Sequence, residues 1–209
     1  MCGGKDNMRT VLWALISCLL CIGWTTVAQA AKSGELVADR HGQTVYDPVS
    51  NVTWLADANL AATKSFGVAE INPDGSMGWT AAQAWIAAMN TANYLGSHQW
   101  SLPATQLPDP TCSQKPKSAA FGSGCKGSQM GDLYYNKLGG VYGSTIQLTH
   151  NDNYRLFKNI QPYLYWSSTE WTRVPNSAFS FSFGNGFQGT NVFVNAMYAI
   201  AVAPGKVGF

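Results

Sequence analysis

Charge is scarce in this chain. Asp, Glu, Lys and Arg supply 11% of its 209 residues, under half of the roughly 25% of an ordinary soluble domain. The 13 basic and 11 acidic residues nearly cancel. The basic ones are scattered, whereas a nucleic-acid surface needs them gathered into a face or stripe, so no nucleic-acid partner is expected. Histidine is scarcer still: His41, His98 and His150 are the only three. None stands in His-Glu-x-x-His, and no Gly-x-Ser-x-Gly elbow occurs. Each histidine reads as a loop residue, and no cofactor or metal site is expected. Solubility falls to Ser, Thr, Asn, Gln and Gly, a composition common in exported β-rich proteins.

Long apolar runs are missing except at the start. Lys5 and Arg9 open a segment whose Val11-to-Trp24 run is nearly all apolar, and Ala28-Gln29-Ala30 is a small-x-small cleavage sequence. That order reads as a secretory signal peptide over residues 1–30, with the mature chain starting at Ala31. The run is short for a span of about 20 apolar residues, so no stable membrane insertion is expected after cleavage. Met8 offers an alternative start. Leu15-Ile16-Ser17-Cys18 matches a lipoprotein box locally, but the apolar run continues past Cys18, so lipidation is not expected. A secreted or periplasmic location follows.

Cys2, Cys18 and Cys21 lie in that leader, which leaves Cys112 and Cys125. They flank a Lys/Ser/Gly-rich stretch with no apolar periodicity. In an oxidising compartment a disulfide between them pins the loop and stabilises the fold by about 3 kcal/mol on the chain-entropy account. Two thiolates without neighbouring histidines fall short of a four-ligand zinc site.

A short lead-in, 31–43, precedes the patterned region. Residues 44–55 read as a hairpin, Thr44-Val45-Tyr46 and Val52-Thr53-Trp54-Leu55 joined by the turn-rich Asp47-Pro48-Val49-Ser50-Asn51. Asn72-Pro73-Asp74-Gly75 is a second turn; it lacks the further acids of a calcium loop. Trp79 to Met89 reads as a helix with Thr80 as its cap and Trp85, Ile86 and Met89 on one face. Trp100-Ser101-Leu102-Pro103 fits a short strand stopped by proline. Ser128 to Leu138 reads as a second helix, capped by Ser128 and stopped at Gly139. Residues 140–158 look polar and irregular. Tyr163 to Glu170 reads as a strand. Phe179, Phe181 and Phe183 then alternate with serines as a strand with one apolar face. Gly184-Asn185-Gly186 is hairpin-turn chemistry, Val192-Phe193-Val194 its return, and Met197 to Ala203 a last strand ending at Pro204. The fold class is α+β: two helices on small antiparallel sheets with long loops, over residues 44–204, followed by the tail 205–209.

The ordered landmarks resemble a known family. They run from Thr53-Trp54-Leu55-Ala56-Asp57-Ala58-Asn59 through Asp74-Gly75-Ser76-Met77-Gly78-Trp79 and Trp100-Ser101-Leu102-Pro103. Ser128-Gln129-Met130-Gly131-Asp132-Leu133, Tyr165-Trp166-Ser167-Ser168-Thr169-Glu170 and Ala199-Ile200-Ala201-Val202 complete the series. This order resembles the Lcl C-terminal domain family of exported bacterial proteins, long listed as a domain of unknown function. The family's usual Trp-Arg-Leu-Pro and Val-Arg carry Arg where this chain has Ser101 and Ala203. The resemblance implies a C-type-lectin-like fold with paired terminal strands and loops displayed over a second sheet. Some relatives bind glycans or sulfated polysaccharides at the cell surface.

A non-catalytic binding module is therefore the leading expectation, with glycans or another surface protein as partner. Glu-Pro-Asn and Gln-Pro-Asp runs are absent, and Gln161-Pro162-Tyr163 lacks the third ligand, so no calcium is expected in a sugar site. Of the six tryptophans after residue 30, five read as core anchors. Trp171 is the exception: it precedes the loop-like Thr172-Arg173-Val174-Pro175-Asn176. Trp171, Arg173 and Asn185 form the expected ligand-binding set, combining an aromatic face, a fixed cation and an amide. Two alternatives stand beside it: a structural protein of an envelope or matrix, and a hydrolase using Asp57, Asp132 and Glu170. The cysteine pair reads as a staple, not as the active pair of a formylglycine-generating enzyme.

Overall fold

The structure, a computed structural model, describes residues 35–114 and 120–209. The leader and its cleavage point lie outside the described residues. The elements run in the order β1 (Val37–Ala38), β2 (Thr44–Asp47), β3 (Val52–Leu55), α1 (Trp79–Thr91), α2 (Gln129–Asp132), β4 (Leu164–Glu170), β5 (Ser177–Ser182), β6 (Gln188–Val192) and β7 (Val202–Pro204). Two antiparallel sheets result, β1-β2-β3-β7 and β4-β5-β6. The α+β class and its two small sheets are as expected. The first sheet starts earlier than expected, because Val37 and Ala38 of the lead-in pair with Tyr46 and Val45.

The 44–55 hairpin forms as read. Its turn closes because Asp47 Oδ1 accepts from the Val49 and Ser50 amides, while Asn51 takes a left-handed φ of 51°. A short polar side chain tolerates that conformation. Pairing of β3 with β7 joins chain-distant strands, Trp54 opposite Val202 and Thr53 opposite Ala203.

Several local readings are corrected by long-range contacts. Trp100 to Pro103 makes one bridge, Ser101 with Val202, not a strand. The return of the Asn185 hairpin is β6 at Gln188–Val192, and Phe193 instead stacks on Trp79, ring centroids 4.4 Å apart. Residues 197–201 do not make one ladder. They cross between the sheets: Tyr198 exchanges hydrogen bonds with Leu164 and Trp166, and the Ala201 carbonyl then accepts from Leu55. Within the irregular 140–158 stretch, Asp152–Leu156 closes into a 3-10 turn. The alternation reads as a strand with one apolar face, yet every residue of β5, serines included, is buried. The strand is central, and Ser180 Oγ accepts from Asn191 Nδ2 at 2.8 Å.

Neither expected cap acts as one. Gly78, not Thr80, precedes α1, and the Trp79 amide donates to the Phe193 carbonyl at 2.8 Å. Ser128 does precede α2, but its hydroxyl makes no cap bond. The helix then widens into a π turn over Leu133–Lys137. That turn places Lys137 Nζ 3.0 Å from the buried Asp47 carboxylate, so α2 clamps the β2–β3 turn. Gly131 has a steric reason: a Cβ there would collide with the Cys125 carbonyl.

The main core gathers Trp54, Trp85, Trp100 and Trp166 with Leu55, Met77, Met89, Leu133, Tyr165, Phe181 and Phe183. The two tryptophan motifs meet here. Along one edge of β4, Ser168 N donates to Pro103 O at 2.9 Å, Thr105 Oγ1 to Ser167 Oγ, and Thr105 N to Thr169 Oγ1. Trp79 Nε1 reaches the Ser167 carbonyl at 2.8 Å.

Candidate functional site

The 104–128 loop folds against the β4–β6 sheet as a second, smaller core. Cys112 and Cys125 are bonded as a disulfide and fully buried, packed with Ala120 and Phe179. The staple itself is thus part of a buried cluster. Phe121 and Trp171 close over it, and Gly122 bridges Gln188 of β6 through both backbone bonds. Replacing both cysteines with serine is expected to lower stability by about 3 kcal/mol, read by denaturant titration, and the native protein should show no reactive thiol. Free thiols before reduction would overturn the pairing.

Asp109 anchors the loop from beneath. Its carboxylate is buried and accepts from the Thr111 amide and hydroxyl through Oδ1, and from the Gly127 amide, Ser128 amide and Ser128 hydroxyl through Oδ2. This is where the Ser128 hydroxyl is spent, and Asp109 caps α2 in its place by binding the amides ahead of it. Asp109 and the two sulfurs lie within 4.8 Å of one another. Because the sulfurs are bonded together and both carboxylate oxygens are occupied by donors, the trio serves the fold. Asp109 went unnoticed in the sequence; the Asp-x-Thr spacing of Asp109 and Thr111, which lets a carboxylate bond the amide two residues on, was the available signal.

A second loop, 139–151, is held with equal firmness. Burial, and then the neighbouring Tyr135, pushes the Tyr134 phenol up to about 12. Its hydroxyl lies 2.9 Å from the Val141 carbonyl and 2.6 Å from that of Ser144. Asn185 joins this loop: its carbonyl accepts from Gly143 N, and its Oδ1 from Phe187 N at 3.0 Å.

Trp171 is half-buried. Its ring meets Phe121 edge-on at 5.2 Å and Phe179 at 5.4 Å, and the Arg173 guanidinium sits over it at 5.3 Å. Trp171 and Arg173 are therefore brought together, at the rim of the small core. Asn185 is not brought to them. The Trp171 amide donates to Ser177 at the start of β5, while Asn185 follows the far end of that strand. About 20 Å of strand separates them, so Asn185 belongs to the hairpin turn and not to one site with Trp171.

The three carboxylates weighed for hydrolysis sit in separate surroundings. Asp57 Oδ1 accepts from Asn59 N and Asn159 Nδ2. Asp132 accepts from Asn136 Nδ2 and lies 4.0 Å from Lys137. Glu170 stands exposed at the end of β4, opposite Ala178. The histidines lie outside the helices and strands, as read, and are exposed: His98 Nδ1 contacts the Asn90 carbonyl, and His150 stacks on Tyr154.

With this geometry in place, the comparison with known families is decisive for ancestry. The sequence profile of the Lcl C-terminal domain matches residues 43–203. The chain belongs to the Lcl C-terminal domain family. No curated protein and no solved structure matches it. Ser101 and Ala203, the two positions where the resemblance implies arginine, both lie at β7. Ser101 pairs with Val202, and Ala203 follows in β7, 1% exposed and opposite Thr53. Neither position lies in the small core that carries Trp171 and Arg173.

Proposed function

We propose that residues 43–203 act as a non-catalytic binding module of an exported protein, taking an acidic glycan on the loop surface beside β4–β6. The observation that carries this reading is preorganisation. The described parts of both long loops are anchored by contacts within the domain, one by the disulfide and Asp109, the other by Tyr134 and Asn185. A surface that is already ordered avoids much of the entropic cost of binding. At its rim stands the Trp171–Arg173 pair. Arginine offers a planar fork of donors suited to sulfate or carboxylate oxygens, and an indole suits the apolar face of a sugar ring. Pairing of β3 with β7, two helices and loops over a second sheet agree with the C-type-lectin-like arrangement that the family resemblance implies. Among the described residues no helix is long and apolar enough to cross a membrane, and a buried disulfide suits an oxidising compartment.

A second reading, assembly into an envelope or matrix, is favoured by one feature. Val174, Val192 and Val194 are exposed, and a groove of about 350 Å3 runs between α1 and Phe193–Val194.

Residues 31–209 tested against immobilised sulfated and unsulfated polysaccharides, with and without chelator, separate the readings. Arg173→Ala is expected to weaken binding of the sulfated polymer about tenfold by removing charged hydrogen bonds, and added salt should erode binding of the unaltered domain. Retention of full affinity by Arg173→Ala places the site elsewhere. A domain that binds no polysaccharide but self-associates supports assembly.

A further inference from the structure

A cavity that shares no lining residue with the Trp171–Arg173 pair carries one carboxylate and one ammonium in its wall. It measures about 180 Å3 and is lined by Gln43, Leu55, Asp57, Leu60, Tyr94 and Lys158, with Gly42 at its edge. Its polar residues come from four chain-distant segments, and the fold fixes each one. The Ala58 amide donates to the Lys158 carbonyl and the Lys158 amide to the Ala56 carbonyl, at 2.9 and 2.7 Å, which sets Asp57 beside Lys158. Asn59 N and Asn159 Nδ2 both bond Asp57 Oδ1 and so hold the carboxylate's orientation. Tyr94 is flanked by Asn93 and Leu95, both with left-handed φ, 49° and 55°. For leucine this is an uncommon backbone state that the surroundings must impose. The Tyr94 ring is held from behind by Phe66 at 5.2 Å and by Lys64 over its face.

These lining residues keep hydrogen-bonding capacity that their neighbours in the fold do not use. Among the described residues, none donates to Asp57 Oδ2, and none hydrogen-bonds the Tyr94 hydroxyl. Lys158 Nζ reaches only the Gly42 carbonyl, at a long 3.4 Å. Burial, and then the charge of Asp57, raises the Tyr94 phenol above its ordinary range, which places the carboxylate and the phenol within electrostatic reach of one another. Leu55 and Leu60 supply apolar wall. A few convergent polar groups around an apolar floor is the usual make-up of a small-ligand site.

We propose that this cavity binds a single neutral sugar ring, the terminal hexose of a glycan, as a site separate from Trp171 and Arg173. Size admits one ring and no more. Charge argues for neutrality: the lining carries one carboxylate, Asp57, and one ammonium, Lys158, while Lys64 is engaged over the Tyr94 ring, so the wall offers an anionic sugar no net attraction. The donors and acceptors suit neighbouring hydroxyls. Asp57 Oδ2 accepts from one, Lys158 Nζ donates to the next, and the Tyr94 hydroxyl and Gln43 amide can each do either. The leucines meet the ring's C–H face.

The proposal shares the glycan-binding reading in kind but not in place, and its test is independent of it. Methyl glycosides of glucose, galactose and mannose are titrated into residues 31–209 and followed by saturation-transfer NMR and calorimetry. One of them is expected to bind saturably in the millimolar range, typical of a lone small polar ligand. Tyr94→Phe removes the hydroxyl and keeps the ring packing, and Lys158→Ala alters an exposed side chain. Each should weaken that binding about threefold to tenfold through one lost hydrogen bond, with an unchanged melting temperature, while Trp171→Ala leaves it intact. No saturable binding of any glycoside overturns the proposal, as does binding that both variants retain in full. Saturable binding of L-alanine in place of the glycosides overturns the sugar class. Loss on Trp171→Ala alone moves the hexose to the other site.

Discussion

Trp166→Ala is expected to be among the most damaging single substitutions in the domain, costing about 3–5 kcal/mol. The indole is fully buried, and its Nε1 donates to the Met77 carbonyl at 2.9 Å. Its backbone sits at a junction. The Trp166 amide donates to Tyr198, and Trp166 pairs with Ser180 across β4 and β5. Truncation therefore opens a cavity and removes one of the two donors to the Met77 carbonyl, which keeps the Met197 amide, where the crossing segment 197–201 meets the second sheet. Trp171, five residues on in the same motif, is half-buried over the small core, and its loss should cost about 1–2 kcal/mol. Urea titrations of both variants check this. Equal costs would mean that Trp171 is as much a core anchor as Trp166, and its assignment to a ligand surface would fall.

Asp109→Ala is expected to cost about 2–4 kcal/mol, because several donors lose their acceptor at once in a buried setting. Asp109→Asn should cost less, since the amide keeps one accepting oxygen. The effect should also depend on the disulfide. Asp109 and Cys112–Cys125 restrain the same loop, so in a Cys112→Ser, Cys125→Ser background the Asp109→Ala penalty should shrink. A double-mutant cycle measures this coupling. Strict additivity would show that the carboxylate serves α2 alone and not the loop surface. If the loops are the binding surface, Asp109→Ala should also weaken polysaccharide binding at temperatures where the domain stays folded.

The fold was legible wherever the cause lies within a few residues. The turn at Asp47–Asn51, the hairpin at Gly184–Gly186 and the α1 stripe of Trp85, Ile86 and Met89 depend on side chains acting on their own or neighbouring backbone. The cysteine pair was legible because an even pair in a chain read as exported has few other uses. By contrast, the caps were misread. Local propensity cannot show that the Ser128 hydroxyl goes to Asp109, nineteen positions away, or that Trp79 N is met by Phe193 from across the molecule.

What the sequence determined by itself was therefore the family, the α+β class, the hairpins, the first helix and the disulfide. These rest on local backbone chemistry and on the order of motifs. Tertiary structure alone decided which strands extend into ladders, because strand length ends where a partner ends: Ser101 finds one pairing residue and residues 197–201 find two different sheets. It also decided the sites. Trp171 and Arg173 are neighbours in the chain and stay together, whereas Asn185 lies across a strand from them. Asp57, Tyr94 and Lys158 are far apart in sequence and share one cavity. Clusters of this kind depend on contacts between distant segments, which no local preference encodes.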